Sequence, residues 1–246
     1  MKCILLCAGY ATRLFPLTQN FPKALLEIEE NKPLLDFILE KVNKIKEVDE
    51  IYLITNDRYY EHFLAWSQKK ENLIIPITVI NDHTTTNEDR LGAIGDIEYV
   101  VKQKQIEEDV LIIAGDNLFD FNLTDMVQFY HQKKGATVCV KKIEDYELLK
   151  RLAVAKIDKN DRIIELVEKP AHPESNIGVF ANYIYPKEIL PLFQEYLREG
   201  NVPDAPGYFV QYLYKIKPVY AYHFQGNCFD VGTHEALEEV RLLYFK

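Results

Sequence analysis

Glycine is sparse in this chain. Ten glycines in 246 residues leave no GxGxxG and no GxxxxGKS/T. A nicotinamide-dependent oxidoreductase and a Walker-type ATPase or kinase therefore lose the phosphate-cradling loops they depend on. Cysteine is thin as well. Cys3, Cys7, Cys139 and Cys228 form no CxxC pair, and three of them sit in apolar, strand-like stretches. That pattern reads as buried free thiols in a reducing compartment, so a cytoplasmic setting is expected. The six histidines show no HxxxH or HxH spacing and are read without a metal role. No apolar run approaches the ~20 residues needed to span a bilayer, and no signal-peptide core with a cleavage site opens the chain. Basic residues number 29 against 38 acidic ones, a net charge of -9. An acidic surface repels phosphate backbones and anionic headgroups, so neither nucleic acid nor a membrane is an expected partner.

What the chain does have is 48% hydrophobic residues in a regular order, enough for a sizeable core. "KCILLCA" precedes the amphipathic "KPLLDFILEKVNKIK", and "EIYLITN" precedes "YYEHFLAWSQKK". "PITVIN" precedes "GAIGDIEYVVKQKQ", and "DVLIIAGDN" precedes "LTDMVQFYHQKK". Apolar strands alternating with helices predict βαβ units with right-handed crossovers and a mostly parallel sheet. After "GATVCVKK" the style changes. "LAVAKID" and "RIIELVEK" flank the turn-like "KND" as a hairpin. "NIGVFANYIY" and "KPVYAYHF" read as strands, and "KEILPLFQEYLRE" and "THEALEEVRLLYFK" as helices. The expected fold class is α/β and Rossmann-like, with helices on both faces of a mixed, mostly parallel sheet and a small antiparallel annex. One domain is expected over 1–246, with 1–120 mainly nucleotide-binding and 121–246 mainly acceptor-binding.

Ligands of open parallel sheets sit beyond the carboxyl ends of the strands. Polar residues there are Gly9 to Arg13, Asn56 and Asp57, Asn81 and Asp82, and Asp116 and Asn117. Asp116 in "AGDN" can hold Mg2+ or merely cap a turn. Asp230 in "FDVGT" offers a second carboxylate, unless it only serves the turn before Thr233, a plausible helix N-cap. In "VEKP", Glu168 and Lys169 are strand neighbours and should face opposite ways, unless a bend at Pro170 turns both inward. Arg13 and Lys23 are the only cations between residues 3 and 31, and both suit polyphosphate.

Taken together these segments resemble the sugar-1-phosphate nucleotidyltransferases. "LCAGYATRLFPLTQNFPKALL" is similar to that family's LAGGxGTRLxPLTxxxPKxLL, and "LGAIGDI" to its base-contacting LGTAGAL-type segment. "AGDN", "VEKP" and "FDVGT" resemble the first metal, sugar-phosphate and second metal segments, in family order across nearly the whole chain. The glucose-1-phosphate thymidylyl- and uridylyltransferases are the nearest branch, and no left-handed β-helix or hexapeptide-repeat domain is expected. The resemblance implies transfer of NMP from an NTP, dTTP or UTP favoured, to a sugar 1-phosphate, glucose 1-phosphate favoured, with release of pyrophosphate. It implies Mg2+ as cofactor on Asp116 and Asp230. Arg13 and Lys23 would serve the phosphates, and Ala8, Gly9, Tyr10, Ala11, Thr12, Gly92 and Gly95 would frame the nucleotide. Glu168, Lys169, Ala153, Phe180 and Tyr208 would line the acceptor side. A homo-oligomer is left open.

The departures are specific. Ala11 replaces the loop's second glycine, so it must keep φ below zero or bear strain. Gly95 stands where thymidylyltransferases usually carry Gln, and Asp96 replaces a small residue. Ala153 replaces a glycine, and Val179, Phe180 and Ala181 replace a VTG triplet. A reshaped acceptor pocket keeps open another sugar or a non-sugar phosphate. A non-catalytic nucleotide-sugar-binding regulator is the remaining alternative, against which the retained Asp116, Asp230, Arg13 and Lys23 speak.

Overall fold

The computed structural model describes residues 1–70 and 74–244. Its strands are β1 (Lys2–Leu6), β2 (Glu27–Glu29), β3 (Lys32–Pro33), β4 (Glu50–Thr55), β5 (Ile77–Asn81), β6 (Val110–Ala114), β7 (Asn117–Phe119) and β8 (Ala136–Lys142). They continue with β9 (Ala153–Ile157), β10 (Ile163–Glu168), β11 (Ile177–Tyr185), β12 (Val219–His223) and β13 (Cys228–Asp230). The helices are α1 (Leu34–Val42), α2 (Tyr60–Gln68), α3 (Gly92–Gln103), α4 (Leu123–Lys133), α5 (Tyr146–Leu149), α6 (Leu190–Arg198), α7 (Pro206–Leu213) and α8 (His234–Tyr244).

The main sheet runs β10-β9-β11-β6-β1-β4-β5, with β8 joining β11 to β12. β6, β1, β4 and β5 are parallel. β11 turns the sheet antiparallel. Its second half pairs with β6 and its first half with β9, while β8 follows its other edge. Apolar faces explain the layering. In β1, Cys3 and Leu5 enter the core beneath α1, α2, α4 and α8, whereas Ile4 enters the core beneath α3, α6 and α7. A central parallel strand buried on both sides reads as an unbroken apolar run, which is how "CILLC" looks in sequence.

The expected fold class and the 153–168 hairpin are present. Four features carried no sequence expectation: the short ribbons β2–β3 and β7–β13, the single turn α5, and α7 within "NVPDAPGYFVQYLY". Pro206 opens α7 at a position where its fixed φ suits a helix start and its missing N–H is not needed. Phe245 and Lys246, included in the expected last helix, lie outside the described residues.

The loop after β1 is held from below. Ala11 adopts φ 48° and ψ 42°, the left-handed conformation, which costs an L-residue about 1–2 kcal/mol. The strain alternative stated above is therefore the one realised. Ala11 C=O accepts from Thr18 Oγ1 at 2.8 Å and from the Leu14 amide at 2.9 Å, which fixes it. The Tyr10 ring is buried beneath the loop, against Tyr59, with ring centroids 6.2 Å apart. The fully buried Tyr59 points its hydroxyl at the carbonyls of Thr18 (2.7 Å) and Tyr10 (3.2 Å). Tyr59→Phe strips this donor from two buried carbonyls. Its expected cost is about 1–3 kcal/mol, read as a lower urea midpoint with an unchanged slope.

Candidate active site

The site begins where β6 ends. Gly115 leaves room that no side chain could occupy, since a Cβ there would lie 2.3 Å from Cys7 Sγ, just past the neighbouring β1. Asp116 follows, and β7 turns back to pair antiparallel with β13, setting Asp230 opposite Asn117. The Val231 amide donates to Asp116 C=O at 3.0 Å. This ribbon brings together two carboxylates that lie 114 positions apart in sequence. Lys23 Nζ reaches both, at 2.5 Å from Asp116 Oδ2 and 4.0 Å from Asp230 Oδ1. Arg13 closes the other side. A Cβ at Gly232 would meet Arg13 Nη2 at 2.7 Å and Asp230 Oδ1 at 2.9 Å, so glycine lets these groups approach. Although the Asp230 side chain is 60% exposed, drying by the crevice walls pushes its carboxyl up. The Asp116 charge pushes the same way, against Lys23, Arg13 and Lys169.

The donor set suits a hard cation. Two carboxylates converge on Lys23 Nζ, and among the described residues no group of three or more His, Cys, Asp or Glu is arranged to hold a metal. A structural zinc site needs four protein ligands. Mg2+ takes one or two carboxylates and completes its shell with water and substrate phosphate. Asp116 and Asp230 fit the second pattern.

These residues form the floor of a crevice of about 590 Å³, within the usual range for small-molecule sites. Ala8, Gly9, Tyr10, Ala11, Thr12 and Gly92, the residues expected to frame a nucleotide, line one end of it. Gly92 has φ 77°, and a Cβ there would lie 2.6 Å from the Pro203 carbonyl oxygen. The reason is a direct backbone contact. The amides of Ala93 and Ile94 donate to the carbonyls of Asp204 (3.0 Å) and Pro203 (2.9 Å), and Arg90 Nε donates to Asp204 Oδ1 at 3.2 Å. The first amides of α3 are thus already bonded. Gly95 does not belong to the crevice wall, because its α-carbon faces Leu91, whose Cβ would lie 3.0 Å from an added Cβ.

At the other end stand Ala153, Phe180, Glu168 and Lys169. Strand alternation should separate the last two, yet both line the crevice. Lys169 itself makes the turn, with φ 47°, one residue before the expected bend at Pro170. Its amide donates to Leu152 C=O at 3.0 Å, and its Nζ lies 3.9 Å from Glu168 Oε1. The Glu168 side chain is only 6% exposed and rests on bare backbone. A Cβ on Gly207 would lie 1.7 Å from Glu168 Oε2. Burial pushes the Glu168 carboxyl up and Asp204 adds to it, against Lys169. Tyr208 is not on the crevice wall. It packs on the core beneath α3, α6 and α7.

Asn87, Arg90, Arg151 and the stretch 204–207 line the wall without having been expected there, and Asp96 was noted only as a departure with no role assigned. Arg90 and Arg151 each precede by two positions a residue that was singled out, Gly92 and Ala153. The "PDAPG" stretch is rich in turn-forming residues, but nothing in it says which helix it will meet.

The nucleotidyl transferase family profile matches residues 2–246. A protein of Sulfolobus acidocaldarius, provisionally named a mannose-1-phosphate guanyltransferase, is 32% identical over 238 residues, covering 95% of this chain and 60% of its own. The bifunctional protein GlmU of Methanocaldococcus jannaschii is 31% identical over 238 residues, covering 94% and 51%. This chain therefore spans about half to three-fifths of the length of these curated relatives. A UDP-glucose pyrophosphorylase complexed with UDP-glucose shares the fold with a TM-score of 0.83 at 21% identity, covering 99% of this chain and 98% of that one. A structure from Bacillus anthracis, provisionally named a glucose-1-phosphate thymidylyltransferase and solved in complex with a sucrose, gives a TM-score of 0.83 at 24% identity. It covers 99% of this chain and 94% of that one. By its family match and its curated relatives, the chain belongs to the nucleotidyl transferase family.

Proposed function

We propose that the protein transfers an NMP from an NTP to a sugar 1-phosphate, releasing pyrophosphate and forming an NDP-sugar. One observation carries this reading: Asp116 and Asp230 converge on Lys23 at the floor of the crevice, with Arg13 beside them. An oxygen of the acceptor phosphate attacks the α-phosphorus, and the bond from that phosphorus to the β-bridging oxygen breaks. The attacking oxygen is already ionised, so no proton has to be removed and no protein base is required. Catalysis then rests on alignment and charge. Lys23 neutralises charge near the α-phosphate, and Arg13 holds the triphosphate and the departing pyrophosphate. Asp116 and Asp230 would hold Mg2+, which supplies charge neutralisation on phosphate oxygens when bound.

Glu168, dry and acceptor-rich, suits sugar hydroxyls, and Lys169 suits the sugar phosphate. Residues 1–120 supply most of the nucleotide end and 121–246 most of the acceptor end, although Asp204 crosses to the first. Glucose 1-phosphate with dTTP or UTP is the pairing that the sequence resemblance favours, and the name of the Sulfolobus relative points to mannose and guanine instead. The Ala153 methyl and the Phe180 ring narrow the acceptor end, which favours testing non-sugar phosphates alongside hexoses.

Pyrophosphate release from purified protein with Mg2+, over ATP, GTP, CTP, UTP and dTTP against a panel of phosphate acceptors, tests the reading. Turnover with at least one sugar 1-phosphate is expected, and binding without turnover would leave only a nucleotide-sugar sensor. Asp116→Ala and Asp230→Ala should each lower kcat by at least about 100-fold while circular dichroism and Tm stay close to the parent. Gly207→Ala should displace Glu168 by overpacking and raise the acceptor KM about tenfold or more, with the NTP KM little changed.

A further inference from the structure

Two carboxyl groups meet beneath the nucleotide end of the crevice. Asp82, just past β5, and Asp96, in the second turn of α3, are 6% and 5% exposed. Asp82 Oδ1 accepts from the Thr84 amide at 2.7 Å and from Thr84 Oγ1 at 2.8 Å. Asp82 Oδ2 and Asp96 Oδ1 are buried with no hydrogen-bond partner among the described residues. The two carboxyl groups lie within interaction range of each other. A hydrogen bond between them requires a proton, because an ionised carboxylate only accepts. Thr84 stabilises the charge on Asp82, so a proton shared by the pair belongs on Asp96. Burial and then the Asp82 charge push the Asp96 carboxyl well above the usual range.

The groups facing the pair do not relieve it. Asp89 adds negative charge beside Asp82, and the Cys7 thiol is buried near Asp96. Tyr10 Oη reaches Thr84 Oγ1 at 3.3 Å, and Arg58 stacks over the Tyr10 ring, 5.2 Å from its centroid. Two buried acids add nothing to folding that apolar side chains would not supply better. Asp96, however, also lines the crevice beside Ala8, Gly9 and Gly92. With its proton directed at Asp82, it has only acceptor lone pairs to offer a ligand.

We propose that the Asp82–Asp96 pair positions the nucleoside of the bound NTP, with Asp96 accepting a hydrogen bond from an N–H or O–H group of the base or ribose. This rests on the nucleotidyltransferase reading. Asp96→Leu removes the acceptor at similar volume. Asp96→Asn mimics the un-ionised acid, donating its amide N–H to Asp82 and keeping a carbonyl toward the crevice. Calorimetry would use the NTP that the substrate panel selects, its 2′-deoxy or 2′-hydroxy counterpart, and inorganic triphosphate, which has no nucleoside.

The NTP should bind Asp96→Leu at least about tenfold more weakly. Asp96→Asn should rescue binding to within about threefold, and triphosphate should bind all forms alike. A loss confined to the 2′-hydroxy nucleotide assigns the contact to the ribose, and an equal loss in both assigns it to the rest of the nucleoside. Should Asp82, left alone, unfold Asp96→Leu, the double variant Asp82→Asn, Asp96→Leu removes that buried charge and should show the same weak NTP binding.

A thermal readout tests the shared proton independently. An acid whose folded pKa is raised stabilises the fold below its unfolded pKa, and that contribution is lost as pH rises through the folded value. The Tm of the parent should therefore fall relative to Asp96→Asn as pH increases. Parent-like NTP binding by the folded leucine variants, failure of asparagine to rescue, or parallel Tm profiles would each overturn the proposal. An absence of NTP binding by the parent would overturn the nucleotidyltransferase reading itself, and the proposal with it.

Discussion

Two like charges held side by side set the terms for this molecule. Like charges about 4 Å apart repel by about 4 kcal/mol at the effective dielectric of a protein surface, and the β7–β13 ribbon brings Asp230 beside Asp116. A cation near both offsets that repulsion, and the loop after β1 delivers Lys23 there. Arg13 follows from the same loop. The strained Ala11, the Thr18 hydroxyl and the Tyr59 phenol can all be read as the means by which a loop poor in glycine is kept in that path.

The layered fold was legible because periodicity reports burial. Central strands such as β1 and β6 are apolar throughout, and α1 and α3 repeat at helical spacing, so the βαβ half could be drawn directly. Arg13, Lys23, Asp116 and Asp230 were visible as isolated charges near strand ends. Their meeting was not visible, because β7 and β13 are three residues each and no period can be measured over three residues. The turn at Lys169, rather than at Pro170, was not visible for a different reason. Nothing local favours φ 47° at a lysine, and the conformation is imposed by the bond to Leu152 and the packing of β10 on α7.

Asp96 shows a third kind of illegibility. In sequence it is a polar residue at the start of an amphipathic helix, where exposure would be the ordinary reading. Its burial follows from Asp82, on another element, and Asp82 tolerates burial because Thr84 supplies two donors. Gly95 and Tyr208 show the opposite case, expected at the crevice and placed off its wall. They sit within segments that build the crevice, but the helical turn carries their side positions away from it.

The stretch from Pro203 to Gly207 touches both ends of the crevice. Its carbonyls occupy the first amides of α3, and four residues later its bare backbone gives the Glu168 carboxylate somewhere to rest. Such a segment makes the two ends of the crevice hard to alter separately. Exchanging it for that of a relative, in order to reshape the end around Glu168, alters the start of α3 as well. Under the proposed function, changes of nucleotide and acceptor would then travel as matched pairs, and chimeras cut on either side of residues 203–207 would mix parts that were never fitted to each other.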